Sequence, residues 1–87
     1  MPEETSKVPI EDTIDLHSFQ PREIPEVVEE YLFQAVAKGF KQVRIIHGRG
    51  IGVQRAIIHS ILKKHAQVIG FHDLPDRGST VVNLAVR

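Results

Sequence analysis

The sequence contains no cysteine and no tryptophan among its 87 residues, and only 6% of the residues are aromatic. Without cysteine the chain has no disulfide framework and no thiolate metal site, which fits a reducing compartment. It has no apolar run long enough for a membrane span, and its acidic, polar N-terminus does not resemble a signal peptide. We therefore expect a cytoplasmic protein. We also expect a single domain, because a chain of this length can form a modest core without disulfides or structural metal ions.

The formal charges balance, with 11 basic and 11 acidic residues, but their distribution along the chain is uneven. Residues 1–30 hold nine of the acids, which are opposed only by Lys7 and Arg22. Residues 31–72 contain no acid and seven basic residues: Lys38, Lys41, Arg44, Arg49, Arg55, Lys63 and Lys64. Such a split permits a basic face and favours a polyanionic partner. The alternative is that the charges only solvate the surface of each helix.

Hydrophobic periodicity predicts the element order β-α-β-α-β-β. The predicted strands are residues 13–17, 43–47, 68–71 and 80–86. One helix is predicted to begin at Pro25, after a tight turn, and to end before Gly39, and the other covers residues 53–65. Residues 73–78 are rich in turn residues and predict a loop. Residues 1–9 are expected to form a flexible tail, followed by one domain over residues 10–87.

A helix between the first two strands requires those strands to be parallel and the crossover to be right-handed. We predict an α/β fold, specifically an α+β two-layer sandwich, in which a mixed four-stranded sheet carries both helices on one face. Alternation then assigns residues to the two faces of the sheet. The residues expected on the open face are Asp15, His17, Arg44 and Ile46, and those under the helices are Ile14, Leu16, Val43 and Ile45.

The most informative stretch is residues 43–55, where an apolar run stops at His47 and glycines follow at positions 48, 50 and 52. Glycine allows a positive φ and a close approach to its N–H group, and free N–H groups at a helix N-terminus attract phosphate. Arg49 adds a permanent positive charge with a forked donor geometry. The stretch predicts a phosphate-contacting loop, although the same glycines would also suit an ordinary strand-to-helix turn.

Three segments stand out together: Asp15-Leu16-His17, His47-Gly48-Arg49-Gly50, and residues 78–82. They resemble the three signatures of the small MutS-related (Smr) domain family, in its small stand-alone bacterial form. The resemblance covers nearly all of the chain from Ile10 onward. Two departures are Ser18, where Gly or Thr is usual, and a third signature shortened to Arg77-Gly78-Ser79-Thr80.

The resemblance implies a fold like the C-terminal domain of translation initiation factor three, with sheet order one, two, four, three and an antiparallel fourth strand. The three signatures would then meet at one rim, where the parallel strands have their carboxyl ends and α/β sheets bind ligands. It also implies a nucleic-acid partner, because several members of the family are nicking or RNA endonucleases and others only bind.

The convergent residues suit acid/base cleavage of a phosphodiester. His17 can give or take a proton, while Asp15 either orients His17 or pairs with Arg44. His47 would serve as a second acid or base, or as a donor to a phosphate oxygen. The expected phosphate-binding residues are Gly48, Arg49, Gly50, Gly52, Arg55, Arg77, Ser79 and Thr80. The remaining histidines, at positions 59, 65 and 72, we assign to packing or to the surface.

RNA carries its own nucleophile, the 2′-hydroxyl, so we expect RNA to be favoured and to be cleaved without a metal or other cofactor. DNA would require an attacking water molecule and a divalent metal ion. The alternative function is a catalytically silent module that binds nucleic acid or a ribosome. The intact Asp-Leu-His signature favours the endonuclease, because a binding module would tolerate its loss.

Overall fold

In the described part of the chain, four β-strands and two α-helices follow one another in the predicted order β-α-β-α-β-β. They are β1 (Thr13–Asp15), α1 (Ile24–Lys38), β2 (Gln42–Ile46), α2 (Val53–Lys64), β3 (Val68–Asp73) and β4 (Ser79–Leu84). The computed structural model describes residues 12–49, 52–76 and 78–86. The expected tail and two of the expected phosphate-binding residues, Gly50 and Arg77, lie outside these ranges.

The four strands form one sheet in the order β1-β2-β4-β3. β1 pairs with β2 in parallel, and β4 is antiparallel to both β2 and β3, which confirms the predicted topology. The edge strand β1 is only three residues long. Leu16 extends its pairing by one bond, since the Leu16 N–H donates to the Ile46 carbonyl at 2.7 Å. The carboxyl ends of β1 and β2 and the start of β4 therefore lie at the same end of the sheet, along the strand direction. We call this end of the sheet the rim.

Alternation along the strands gives the sheet one covered face and one open face, as predicted. Leu16, Val43 and Ile45 are buried under the helices, whereas Asp15 on the open face is exposed. The helices complete the core with Ile24, Val28, Tyr31, Leu32 and Ala35 from α1 and with Ile58 and Leu62 from α2. Removing these apolar side chains from water is the main term that stabilises the fold. Within the described ranges, neither helix is both long and apolar enough to cross a membrane.

The entry into α1 follows the sequence prediction of a tight turn before a regular helix. A short 3-10 helix, Pro21–Glu23, comes first, and the Gln20 N–H donates to Glu23 Oε1 at 2.9 Å. Pro25 falls in the first turn of α1, where its missing N–H breaks no helical bond. Gly39 ends the helix in the left-handed conformation, with φ +85°. The chain then enters β2 at the end of the sheet opposite the rim.

β3 is two residues longer than predicted, and this changes the place of Asp73. The strand ends at Asp73 rather than at residue 71, and Asp73 pairs with Thr80 of β4. The prediction of a loop over residues 73–78 is therefore wrong at its first residue. Turn residues mark where a chain reverses but not how far the pairing extends towards the turn. The other element ends either agree with the predicted ones or differ from them by one or two residues, as helix and strand ends commonly do.

Gly48→Ala should destabilise the fold more than Gly39→Ala, although the two glycines have similar φ values, +89° and +85°. A Cβ at position 48 would lie 3.1 Å from the His17 Cβ, whereas one at position 39 would meet nothing within 4 Å. The left-handed backbone costs alanine about 1–2 kcal/mol at either position, and crowding should add roughly 1 kcal/mol at position 48. Urea unfolding of both variants measures the difference, and equal losses would show that the rim accommodates a side chain at this position.

Candidate functional site

The rim carries an exposed aspartate–histidine pair at the end of β1. His17 Nδ1 lies 2.6 Å from Asp15 Oδ1, and the His17 backbone N–H donates to the same oxygen at 3.0 Å. The side chains are 61% and 51% exposed, respectively. The side-chain hydrogen bond from His17, followed by the backbone one, lowers the pKa of Asp15. Because a carboxylate only accepts, Nδ1 carries the hydrogen, and Nε2 of His17 has no partner among the described residues.

The glycine-rich turn lies directly against this pair. Gly48 has a positive φ and is so close to His17 that a Cβ there would be 3.1 Å from the His17 Cβ. From the first turn of α2, the Gln54 side-chain amide donates to the carbonyls of His17, at 3.2 Å, and Phe19, at 2.7 Å. The Gly78 carbonyl accepts the backbone N–H groups of both His47 and Gly48. All three signatures therefore meet at the rim, as the sequence implies.

Arg49 is a cation of the rim that has no ion-pair partner in the described part of the chain. It is exposed, and its Cγ packs 3.1 Å from where a Cβ on Gly78 would lie. It forms no ion pair with any described residue, whereas Arg55 is bonded to Asp73. The nearby N-terminus of α2 begins after Gly52, which has φ +88°, and has neither a side-chain cap nor an acid in its first turn. This combination of a free guanidinium and uncapped N–H groups suits an anion.

Arg44 on the open face pairs with Asp76 rather than with Asp15. Its guanidinium donates to Asp76 Oδ2 at 3.1 Å and to Ser79 Oγ at 3.1 Å. The Gly78 N–H, then Ser79 and Arg44, lower the pKa of Asp76. The interpretation that Asp15 is only a strand residue paired with Arg44 is therefore wrong. Ser79 is fully buried and its hydroxyl is engaged here, so a direct phosphate contact would require these bonds to break.

A second polar cluster lies on the covered side of the rim, between the sheet and α2. The His47 side chain is fully buried, and its Nε2 lies 2.9 Å from Thr80 Oγ1. The Thr80 hydroxyl donates to Asp73 Oδ1 at 2.6 Å, and His59 Nε2 lies 3.0 Å from the same oxygen. We call these four residues the His47–Asp73 cluster. Its ligand-type atoms on His47, His59 and Asp73 lie within 4.8 Å of one another, so these three side chains could hold a metal ion.

Asp73 carries the negative charge of this cluster. Partial burial raises its pKa, but hydrogen bonds from Thr80, Arg55 and His59 outweigh this effect and lower the pKa to about 2. Arg55 Nε donates to Asp73 Oδ2 at 2.6 Å, which leaves Oδ1 facing Thr80 and His59. The Arg55 side chain, expected at a phosphate, is thus already engaged by a carboxylate.

His59 and Asp73 are members of a polar site that the sequence does not predict. Neither residue belongs to the three signatures, and the sequence predicts packing or a surface position for His59 and a loop for Asp73. One signal was available: alternation places His47 on the same face as Ile45, which is the covered face. His47 and Thr80 are buried there, so neither side chain faces the rim surface beside His17, and their catalytic and phosphate-binding roles stay predictions.

Four of the basic residues between positions 31 and 72 lie at the end of the sheet opposite the rim. They are Lys38, Lys41, Lys63 and Lys64. This placement follows from the topology, because both helices start at the rim and end at the opposite end of the sheet. The basic stretch of the sequence therefore does not form one continuous basic face around His17.

Asp73 should make the fold sensitive to acid between about pH 4 and pH 2. Its pKa falls from 3.8 to about 2 on folding, so the carboxylate stabilises the folded state above this window and the stabilisation is lost as the pH falls through it. The shift corresponds to roughly 2 kcal/mol near neutral pH. In metal-free buffer, Asp73→Asn should lower the free energy of unfolding by about this amount near neutral pH and by much less near pH 2.

Chemical unfolding at the two pH values measures this effect. The matched control is Asp12→Asn, because the Asp12 carboxylate contacts only Thr13 among the described residues. If Asp73→Asn lost the same free energy at both pH values, packing rather than charge would account for the loss.

Comparisons with known proteins point to one family. The family model described as the Smr domain matches residues 14–85. Endonuclease MutS2 of Clostridium tetani is 37% identical over 79 residues, which cover 86% of this chain and 10% of that protein. Endonuclease MutS2 of Caldicellulosiruptor bescii is 44% identical over 61 residues, which cover 66% of this chain and 8% of that protein. The chain thus spans about a tenth of the length of the curated relatives it matches.

Solved structures share the fold as well. The Smr domain of Thermus thermophilus MutS2 matches with a TM-score of 0.79 at 33% identity, over 83% of this chain and 95% of that one. YdaL, a stand-alone small MutS-related protein from Escherichia coli, matches with a TM-score of 0.79 at 25% identity, over 93% of this chain and 70% of that one. Because the family model matches nearly every described residue and the topology agrees, this chain belongs to the Smr domain family.

Proposed function

We propose that this chain is an endonuclease domain that cleaves a phosphodiester bond, with RNA favoured over DNA as the substrate. The observation that carries the proposal is the 2.6 Å hydrogen bond between Asp15 and His17, both exposed on the rim beside the glycine-rich turn. The name of the relatives, Endonuclease MutS2, supports a nuclease-type or nucleic-acid-binding domain.

In this proposal His17 acts as the general base. Its Nδ1–H donates to Asp15, so the lone pair of Nε2 is free to take the proton of the RNA 2′-hydroxyl. The 2′-oxygen attacks the adjacent phosphorus, a 2′,3′-cyclic phosphate forms, and the departing 5′-oxygen takes a proton from solvent water. The Asp15 carboxylate fixes the imidazole orientation and stabilises the imidazolium that results. No metal is required at the rim, because the substrate supplies the nucleophile.

The phosphate would lie between Arg49 and the N-terminus of α2. Arg49 is exposed and has no ion-pair partner in the described part of the chain, and the α2 N–H groups after Gly52 are uncapped. Donors fixed in this way stabilise the charge that develops on a phosphate during cleavage. Gly48 contributes differently: its N–H is donated to the Gly78 carbonyl at 3.0 Å, so its part is to let the backbone lie close to His17.

His47 serves this proposal as a positioning residue rather than as a second acid or base. Its side chain is fully buried, and its Nδ1–H donates to the Gly48 carbonyl at 3.1 Å. That bond holds the turn that contacts His17. A group in this place shapes the rim without touching the substrate.

A nucleic-acid- or ribosome-binding module without catalysis is the second candidate. The observation that favours it is the burial of His47, which leaves no second histidine beside His17 in the part of the chain that the structure describes. A single imidazole supplies one proton-transfer step and no separate acid for the leaving group. Cleavage and binding measured on the same variant separate the two functions.

His17→Ala should abolish most cleavage of labelled RNA and leave RNA affinity within about twofold. Loss of a proton-transfer group typically costs about 10²–10⁴ in rate, whereas most of the affinity comes from phosphate contacts made by other residues. The exposed histidine of β3 provides the matched control, since His72→Ala should cleave at the wild-type rate. Cleavage in the presence of a chelator tests the metal-free mechanism, and a wild type that cleaves nothing would leave the binding module as the function.

Asp15→Asn should reduce cleavage less than His17→Ala and should alter the pH dependence of the rate. The carboxylate holds the Nδ1 hydrogen of His17, and an asparagine amide can turn its NH₂ group to that position and favour the wrong tautomer. The rate measured against pH for both proteins checks this. An unchanged profile with a lower melting temperature would mean that Asp15 only stabilises the fold.

Arg49→Ala should weaken nucleic-acid binding and reduce its dependence on salt by about one phosphate contact. The slope of log K against log salt is about −0.7 per contact for single strands, and an exposed, unpaired arginine is expected to make one such contact. Lys63→Ala is the matched control, because Lys63 lies at the end of α2 away from the rim. Binding titrations at several salt concentrations measure both slopes, and an unchanged slope for Arg49→Ala would remove Arg49 from the phosphate site.

A further inference from the structure

We infer that the His47–Asp73 cluster is a binding site for a divalent transition metal ion, with Zn²⁺ as the ion that fits its ligands. The cluster lies under α2 on the covered side of the rim, apart from the exposed Asp15–His17 pair. The inference does not depend on the proposed nucleic-acid chemistry, because it is tested by metal binding alone.

The four polar atoms of the cluster lie close together, with the His47, His59 and Asp73 ligand atoms within 4.8 Å of one another. Asp73 Oδ1 lies 3.9 Å from His47 Nε2 and 3.0 Å from His59 Nε2. Thr80 Oγ1, the fourth atom, lies 2.9 Å from His47, 3.3 Å from His59 and 2.6 Å from Asp73. A tetrahedral zinc ion with bonds of about 2.0–2.1 Å needs edges of about 3.3–3.4 Å between its ligands. The observed separations fall on both sides of this edge length, so a four-atom shell around one ion would require side-chain adjustments of less than about 1 Å in these separations.

The hydrogens available in the cluster do not satisfy all of its contacts when His47 is neutral. The Gly48 carbonyl only accepts, so the Nδ1 of His47 must carry the ring hydrogen, which leaves Nε2 with a lone pair. The single Thr80 hydrogen is donated to Asp73, so an oxygen lone pair faces that nitrogen lone pair at 2.9 Å. A metal cation accepts all these lone pairs at once.

The surroundings of the cluster resemble the outer groups of metal sites. Histidine ligands usually donate their other ring N–H to a backbone carbonyl or carboxylate, as His47 does to Gly48. Arg55 binds Asp73 Oδ2 and so leaves Oδ1 directed into the cluster. Two imidazoles with one carboxylate suit zinc and similar transition metals, whereas calcium and magnesium prefer oxygen ligands.

The cluster is closed on one side and open on the other. His47 is fully buried, while the side chains of His59 and Asp73 are 20% and 25% exposed. An ion can therefore enter from solvent between α2 and the end of β3, and the weak Thr80 ligand can be replaced by water. A bound ion would link β2, α2, β3 and β4, so metal binding should raise the thermal stability of the domain.

Zinc titration of the chelator-treated full chain tests the inference, with calorimetry for stoichiometry and thermal melting for stability. We expect one Zn²⁺ per chain and a melting temperature that rises with zinc concentration, and Co²⁺ should give the intense visible absorption of a tetrahedral site. His59→Gln and Asp73→Asn should each weaken zinc binding by more than about tenfold, since even loss of an outer partner costs this much. His59→Gln is the primary variant because His59 is only partly buried, and its circular dichroism spectrum verifies folding.

Two control variants decide where a bound ion lies. His17→Ala and His72→Gln should bind zinc as tightly as wild type, because neither residue belongs to the cluster. The inference is overturned if wild type shows no saturable binding of one ion per chain, or if His59→Gln and Asp73→Asn bind as tightly as wild type. It is also overturned if His17→Ala loses the binding and His59→Gln keeps it, since the Asp15–His17 pair would then hold the ion.

Discussion

The rim depends on one backbone carbonyl, that of Gly78, which accepts the N–H groups of His47 and Gly48 at 2.9 and 3.0 Å. These two bonds join the end of β2 to the start of β4 where the chain leaves the sheet for α2. Because the N–H groups of His47 and Gly48 are bonded to this carbonyl, no side chain is needed at position 48 to satisfy the backbone of the turn. Gly48, which has no side chain, can therefore lie close to His17. The contact between the first and second signatures is thus made possible by the third.

Most of the fold could be predicted from local patterns and from the family signatures. Alternation assigned Val43 and Ile45 to the covered face, and the two early prolines located the turn before α1. The meeting of His17 with Gly48 followed from the parallel pairing of β1 and β2. These features depend on residues near one another in sequence or on a single topological rule, which is why sequence reasoning reaches them.

The polar cluster under α2 could not be predicted in the same way. It requires the register that pairs Asp73 with Thr80 and the rotation of α2 that turns His59 towards them. Both are set by packing over long sequence separations, and no local pattern marks them. The burial of His47 is different, because alternation along β2 would place it on the same face as Ile45, which is the covered face. The role expected for His47 at the rim came from its place in the second family signature. Alternation along β2 argues against an exposed position for this side chain.

The proposed base, His17, follows the shortest strand of the described sheet, and that strand lies at an edge. Proteins open locally with free energies that range from near zero at frayed edges up to the global value in the core. A few backbone bonds to β2, the Gln54 amide bonded to His17 and Phe19, and the buried Leu16 side chain hold the end of β1 in place. The Asp15–His17 geometry therefore depends on how often this short edge strand opens locally, and we expect hydrogen exchange there to be faster than in the core strands.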